Sequence, residues 1–287
     1  MHLPSSLSWY HVYDHTVDFR YENINNLNPL EACQLTINQI TKNYAPPYYI
    51  MVSGGIDSQA MLYAWLKFGN NFIPTCFLYN DDLNHHDIST LKIFAEKYNI
   101  DVNYIDIDII QFIDNNFREY AEKYKCSSPW ITSYIYMSEK LNGTVIFSGN
   151  FLQSKNGPAN SLTYSILGLY RASLSKNNLI PYFFLHSPEL AYSFRWNKTN
   201  LATYLDKVNA YRRYGFPVLS QTEKITGFEK IKDIYDLRFK YKITGKDILK
   251  YQNRISGRPT DIILRYPYEE KFGGDNVKII INENILC

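Results

Sequence analysis

The chain predicts an α/β protein, a doubly wound parallel sheet with a mainly helical C-terminal region. Three observations predict it. Apolar strand-like runs and helical patterns alternate between residues 45 and 150, the order that builds parallel sheets through right-handed crossovers. Runs such as Tyr48-Tyr49-Ile50-Met51-Val52 and Thr144-Val145-Ile146-Phe147 are apolar without alternation, which marks strands covered on both faces. Gly-containing turns follow both of these runs, Ser53-Gly54-Gly55 and Ser148-Gly149-Asn150, placing them at the carboxyl edge where such sheets bind ligands.

The elements follow in order. Residues 8–23 alternate in part (Trp9, His11, Tyr13, then Val17, Phe19, Tyr21), which fits two short strands with Asp14-His15 near the turn. Asn28-Pro29 opens a helix through Leu30, Cys33, Leu35, Ile37 and Ile40, closed by Pro46-Pro47. After the first strand, Met61, Leu62, Trp65 and Leu66 sit at helical spacing with Gly69 as the stop. Residues 72–79 read as a strand, Asp87 to Tyr98 as a helix, and Val102 to Ile109 as a strand. One long helix is expected from about Ile110 to Tyr124, and another from Pro129 to about Leu141, before the strand at Thr144. Beyond residue 160 the pattern is mainly helical (161–174, 189–211, 228–241). An irregular tail then carries a short strand at Val277 to Ile281. These readings divide the chain into 1–44, 45–160 and 161–287.

Composition excludes some functions. In 287 residues, 30 Lys plus Arg face 28 Asp plus Glu, a net charge of +2, which offers no general attraction for nucleic acid. The 26 Tyr and 16 Phe could serve stacking surfaces, but compositional drift toward Tyr, Asn, Ile and Lys is the better explanation. Cys33, Cys76, Cys126 and Cys287 lack the close spacing of a structural zinc site and fit a reducing compartment. With no secretory signal pattern and no long uncharged apolar run, the expectation is a soluble, cytoplasmic protein without membrane partners.

The chemistry is expected in the segment Ser53-Gly54-Gly55-Ile56-Asp57-Ser58, between a buried strand and a helix start. Glycines let backbone approach an anion closely. A helix N-terminus offers N–H donors and positive potential to phosphate, and Ser53 and Ser58 add hydroxyls. Asp57 is anomalous beside an anion unless a cation lies between them, which points to Mg²⁺.

This loop resembles that of the N-type ATP pyrophosphatase superfamily, the Rossmann-like PP-loop enzymes that include asparagine synthetase, GMP synthetase, NAD synthetase and tRNA-thiolating enzymes. The resemblance covers roughly residues 45–155. It implies ATP and Mg²⁺ as cofactors and adenylation of an acceptor oxygen with release of pyrophosphate, followed by attack of a nitrogen or other nucleophile. It gives Ser53, Gly54, Gly55, Ile56, Asp57 and Ser58 the pyrophosphate-binding role, with Asp57 as metal ligand and catalytic residue. Ser148 and Gly149 occupy a turn where relatives place a second acidic metal ligand; here Asn150 replaces the acid, so a plain strand-end turn is an equal reading. Residues 28–40 and 221–230 resemble the asparagine-synthetase-like branch, without a glutaminase domain. Ammonia or an amine would then come free or from a separate subunit. Lys224 and Lys230 are candidates to meet the α-phosphate.

Weaker candidates stand beside these. Cys76 and Cys126 are candidates for thiolation chemistry, although buried structural cysteines are commoner. His85-His86-Asp87 after Asp81-Asp82 reads as a solvated acidic helix start rather than a metal site. Arg171, Arg195 and Lys198 suit phosphate or apolar cover, and Arg254, Arg258 and Arg265 form a basic stretch. Lys155-Asn156-Gly157-Pro158 and Lys271-Phe272-Gly273-Gly274 read as covering segments or ordinary loops. The acceptor is expected to be a small carboxylate. The alternatives are a base in tRNA or DNA, or a nucleotide-binding protein without catalysis. A homo-oligomer is compatible with the sequence.

Overall fold

The computed structural model describes residues 10–12, 16–19, 25, 27–80, 84–126, 128–149, 164–176, 178–194, 204–220 and 278–281. Strand β1 (Tyr10–Val12) pairs antiparallel with β2 (Thr16–Phe19), as the alternation predicts. The late strand pairs parallel to β2, with Val17 opposite Ile279. Helix α1 (Pro29–Asn43) begins at Asn28, whose side chain accepts from the N–H of Leu30 and Glu31. The Glu31 carboxylate accepts in return from Asn28, so both sides of the junction are satisfied.

The main sheet is built from β3 (Tyr48–Met51), β4 (Phe72–Tyr79), β5 (Asn103–Ile107), β6 (Thr144–Phe147) and β7 (Leu179–Ile180). Its order is β5-β4-β3-β6-β7 and every pairing is parallel. The chain lays strands outward from β3 in one direction, then returns to build outward from β3 in the other. The order therefore reverses between β3 and β6, and the crevice beyond their carboxyl ends is the topological switch point of the fold. The fifth strand comes from beyond residue 160, where sequence patterning put no strand near Leu179; two residues are too few to display a period.

Each strand supplies both faces. On β3 and its extension, Tyr48, Ile50 and Val52 join one core while Met51 joins the other, which is why the run is apolar throughout. The first core packs beneath α1, α2 (Ile56–Phe68) and α3 (His85–Tyr98), using Ile37, Leu62, Trp65 and Phe94, and is extended by α8 (Pro188–Ser193) and α9 (Tyr204–Arg213). The second lies under α4 (Ile109–Asn115), α5 (Phe117–Tyr124), α6 (Pro129–Ser138) and α7 (Tyr164–Ser175). Each fully buried Leu, Ile or Phe contributes roughly 1.5–3 kcal/mol.

The long helix expected up to Tyr124 is two helices. The break falls at Asn116, where φ is −121°, after Asp114 and Asn115, all residues of low helix propensity. Gly69 does stop α2, but in extended conformation. An added Cβ there would lie 2.3 Å from the Trp65 ring, so packing rather than a left-handed turn selects the glycine. Among the described residues, no helix is long and apolar enough to cross a membrane.

Candidate functional site

The loop after β3 is closed from within. The N–H of Val52 still donates to Thr75 at 2.8 Å, continuing the ladder. The Ser58 hydroxyl then accepts from the Ser53 N–H (3.2 Å) and donates to the Gly55 carbonyl (2.8 Å). Its single proton is thereby committed inside the loop, so Ser58 shapes the turn instead of donating to phosphate, the role expected of it. The first main-chain bond of α2 is from Gln59 N–H to Gly55 at 3.0 Å. The amides of Ile56, Asp57 and Ser58 precede it and have no partner within the helix, which makes this end attractive to an anion.

The two glycines have separate reasons. Gly54 has φ +76°, and a Cβ on it would fall 2.0 Å from the Asp87 carbonyl oxygen and 3.2 Å from the Leu91 nitrogen. Helix α3 therefore packs directly on Gly54, and this glycine clears space for protein rather than for the phosphate that the sequence suggests. Gly55 has φ −67°, and a Cβ there would meet only Ser53 Oγ at 3.5 Å. Gly55 is the one that faces open space.

That space is a cavity of about 440 Å³ at the switch point, within the range of small-ligand pockets. Ser53, Gly55, Asp57 and Ser58 line one side, and Ser148 and Gly149 at the end of β6 another. Gly149 has φ +63°, and the Tyr182 ring covers it so closely that a Cβ would lie 2.1 Å from the ring. Asn84 holds the start of α3 to the end of β4, donating to Phe77 O (2.7 Å) and accepting from Tyr79 N–H (3.0 Å). The far wall is apolar and aromatic: Phe77, Ile131, Tyr134, Phe147, Leu169 and Tyr182. Tyr134 stacks on Phe147 with ring centroids 5.6 Å apart.

Asp57 is held by α9. Lys207 Nζ lies 2.7 Å from each carboxylate oxygen, and the Tyr211 hydroxyl donates to Oδ1 at 2.6 Å. Lys207 and Tyr211 are four residues apart and share a helix face. Tyr211 is fully buried among Phe184, Phe194 and Phe216. Burial, reinforced by the Asp57 charge, pushes the phenols of Tyr211 and Tyr182 up, so both stay protonated at neutral pH. Gln59 secures the segment after α9: its amide donates to Gly54 O (2.7 Å) and Leu219 O (3.2 Å) and accepts from Leu219 N–H (2.7 Å).

The Mg²⁺ assigned to Asp57 does not fit this donor set. An ammonium and a phenol already engage both carboxylate oxygens. A hard divalent cation would have to displace Lys207.

The other candidates divide clearly. Asp87 lines the cavity, while His85 is exposed. Cys76 lines it too, but burial pushes its thiol up to about 12, so the thiolate is scarce. Cys126 is packed under Gly168, away from the cavity lining. Arg171 donates to the carbonyls of Tyr124 and Lys125 at the end of α5, a structural role. Lys224, Lys230, Asn150, Asp81, Asp82, Arg195, Lys198, Arg254, Arg258, Arg265, residues 155–158 and residues 271–274 lie outside the described residues. Sequence reasoning missed Lys207, Tyr211 and Gln59. The available signal was a lysine on the apolar face of α9, beside Val208 and one turn before Tyr211.

No protein-family model matches this chain, and no curated protein does. Solved structures include two distant likenesses. One is the U34-tRNA thiolase NcsA from Methanococcus maripaludis with its 4Fe-4S cluster, at 11% identity and TM-score 0.33, over 90% of this chain and 82% of that one. The other is the glutamine-dependent NAD+ synthetase from Acinetobacter baumannii in complex with ADP, at 12% identity and TM-score 0.34, over 90% of this chain and 48% of that one. At this level of similarity neither decides the fold or the chemistry, which stand on the chain's own strand order, loop and cavity.

Proposed function

We propose that this chain is an ATP-dependent, AMP-forming enzyme of the N-type ATP pyrophosphatase kind. The observation that carries the reading is the Ser53–Ser58 loop, whose helix N-terminus opens into a cavity at the β3/β6 switch point. Phosphates placed against the amides of Gly55 to Ser58 meet preorganised donors as charge develops on the leaving group. The acceptor oxygen attacks the α-phosphorus, the bond to the bridging oxygen breaks, and pyrophosphate leaves with the electron pair. A nitrogen or other nucleophile then displaces AMP. The cavity's apolar wall would exclude water from the adenylated intermediate.

Asparagine-synthetase-like amide formation on a small carboxylate is one form of this reading. A second form has a specific observation in its favour. The charged lining residues among those described are Asp57, Asp87 and Lys207, while Ile131, Tyr134, Phe147 and Leu169 form an uncharged wall. Such a wall suits a flat, neutral acceptor such as a nucleic-acid base better than a small dianion, because an unpaired carboxylate is costly to bury.

The test is product analysis by phosphorus NMR during an acceptor screen of amino acids, amides and RNA or DNA oligonucleotides. AMP and pyrophosphate in equal amounts are expected. ADP with orthophosphate would overturn the assignment.

A further inference from the structure

Asp57 sits in the first turn of α2, on the edge of the space where the proposed polyphosphate would lie. Uncompensated, that carboxylate opposes the anion: two like charges ~4 Å apart at an effective dielectric of ~20 repel by about 4 kcal/mol. The charge has to be neutralised, and either a divalent cation or a protein cation would do it. Here Lys207 does so at 2.7 Å from both oxygens, with its side chain 11% exposed and Asp57's 21% exposed. Tyr211, wholly buried, fixes the carboxylate from the same helix. Lys207 also lines the cavity itself. The ammonium therefore faces two anions, one permanent and one brought by the ligand.

We propose that Lys207, oriented by Asp57 and Tyr211, is the phosphate-binding cation of this cavity and takes the place at Asp57 that a protein-held metal would need, so that triphosphate binding does not require Mg²⁺. This rests on the nucleotide reading given above. Any Mg²⁺ that enters would be coordinated by phosphate oxygens and water rather than by Asp57. Asp57 and Tyr211 are then positioning residues, acting through the lysine.

The experiment measures calorimetric affinity for α,β-methylene-ATP, whose α–β link is not cleaved, in excess EDTA and in Mg²⁺. Wild type is expected to bind within about threefold in the two conditions. Lys207→Met leaves the Asp57 charge uncompensated, so binding in EDTA should fall by about tenfold or more and be largely restored by Mg²⁺. Lys207→Arg should keep EDTA-resistant binding. Circular dichroism checks the folding of each variant; if Lys207→Met does not fold, wild type and Lys207→Arg decide the matter. Wild-type binding that needs Mg²⁺ would overturn the role of Lys207 while leaving the nucleotide reading intact, and so would EDTA binding unaffected in a folded Lys207→Met. No binding in either condition would overturn both.

Discussion

An alanine methyl at Gly54 would stand 2.0 Å from a carbonyl oxygen of α3, on a backbone with φ +76°. The left-handed conformation and the overpacking add, so Gly54→Ala should cost roughly 2–4 kcal/mol, read as a lower melting temperature. Unchanged stability would contradict the packing account. At His186 burial acts on charge instead of space. The fully buried imidazole is pushed down to about 4 from 6.5 by desolvation. The unfolded chain binds the proton first as pH falls, so stability is complete above about 6.5, declines through the window to about 4, and levels off below. The expected loss is about 3 kcal/mol. Denaturant titrations from pH 7 to 4 should show this slope, and His186→Gln should flatten it. The residues legible from sequence were those selected by local geometry: Asn28-Pro29 as a helix start, and the glycines of the loop. Which glycine serves the ligand was not legible, because the answer depends on α3, which lies across a crossover.

Elements read well where one pattern, an unbroken apolar run or a helical period, ran long enough. β3, β4, β6 and α1 fell where their patterns put them. A two-residue β7 shows no period, and the break at Asn116 hides inside apolar spacing that continues across it. Helix α9 matters most to the site and its role was the least legible, since Lys207 and Tyr211 reach Asp57 across 150 and 154 positions of sequence. Its docking depends on Gln59, which is fully buried and bonded to both Gly54 and Leu219. Gln59→Leu leaves buried main-chain groups of both segments unsatisfied and should cost about 1–3 kcal/mol. Hydrogen exchange at the Leu219 amide should quicken, and nucleotide affinity should fall with the loosened Lys207. Unaltered exchange there would mean that the Asp57 contacts and the aromatic packing hold α9 without Gln59.

For the whole molecule, strand order concentrates function. The reversal between β3 and β6 opens one crevice, and the cavity, the helix N-terminus and the Asp57–Lys207 pair all meet in it. Gly55 gives the most direct access to the central claim that phosphate sits there. Its backbone conformation suits any residue, it lines the cavity, and a Cβ there would meet nothing closer than Ser53 Oγ at 3.5 Å. Aspartate at a helix N-cap is more favourable than glycine by only about a few tenths of a kcal/mol, and its carboxylate would occupy the seat proposed for phosphate. The measurement is ATP titration of wild type and Gly55→Asp, with melting temperatures alongside. The account predicts saturable binding to wild type, its loss in Gly55→Asp, and a melting temperature that is unchanged or slightly higher. Equal ATP affinity in the two proteins would contradict it.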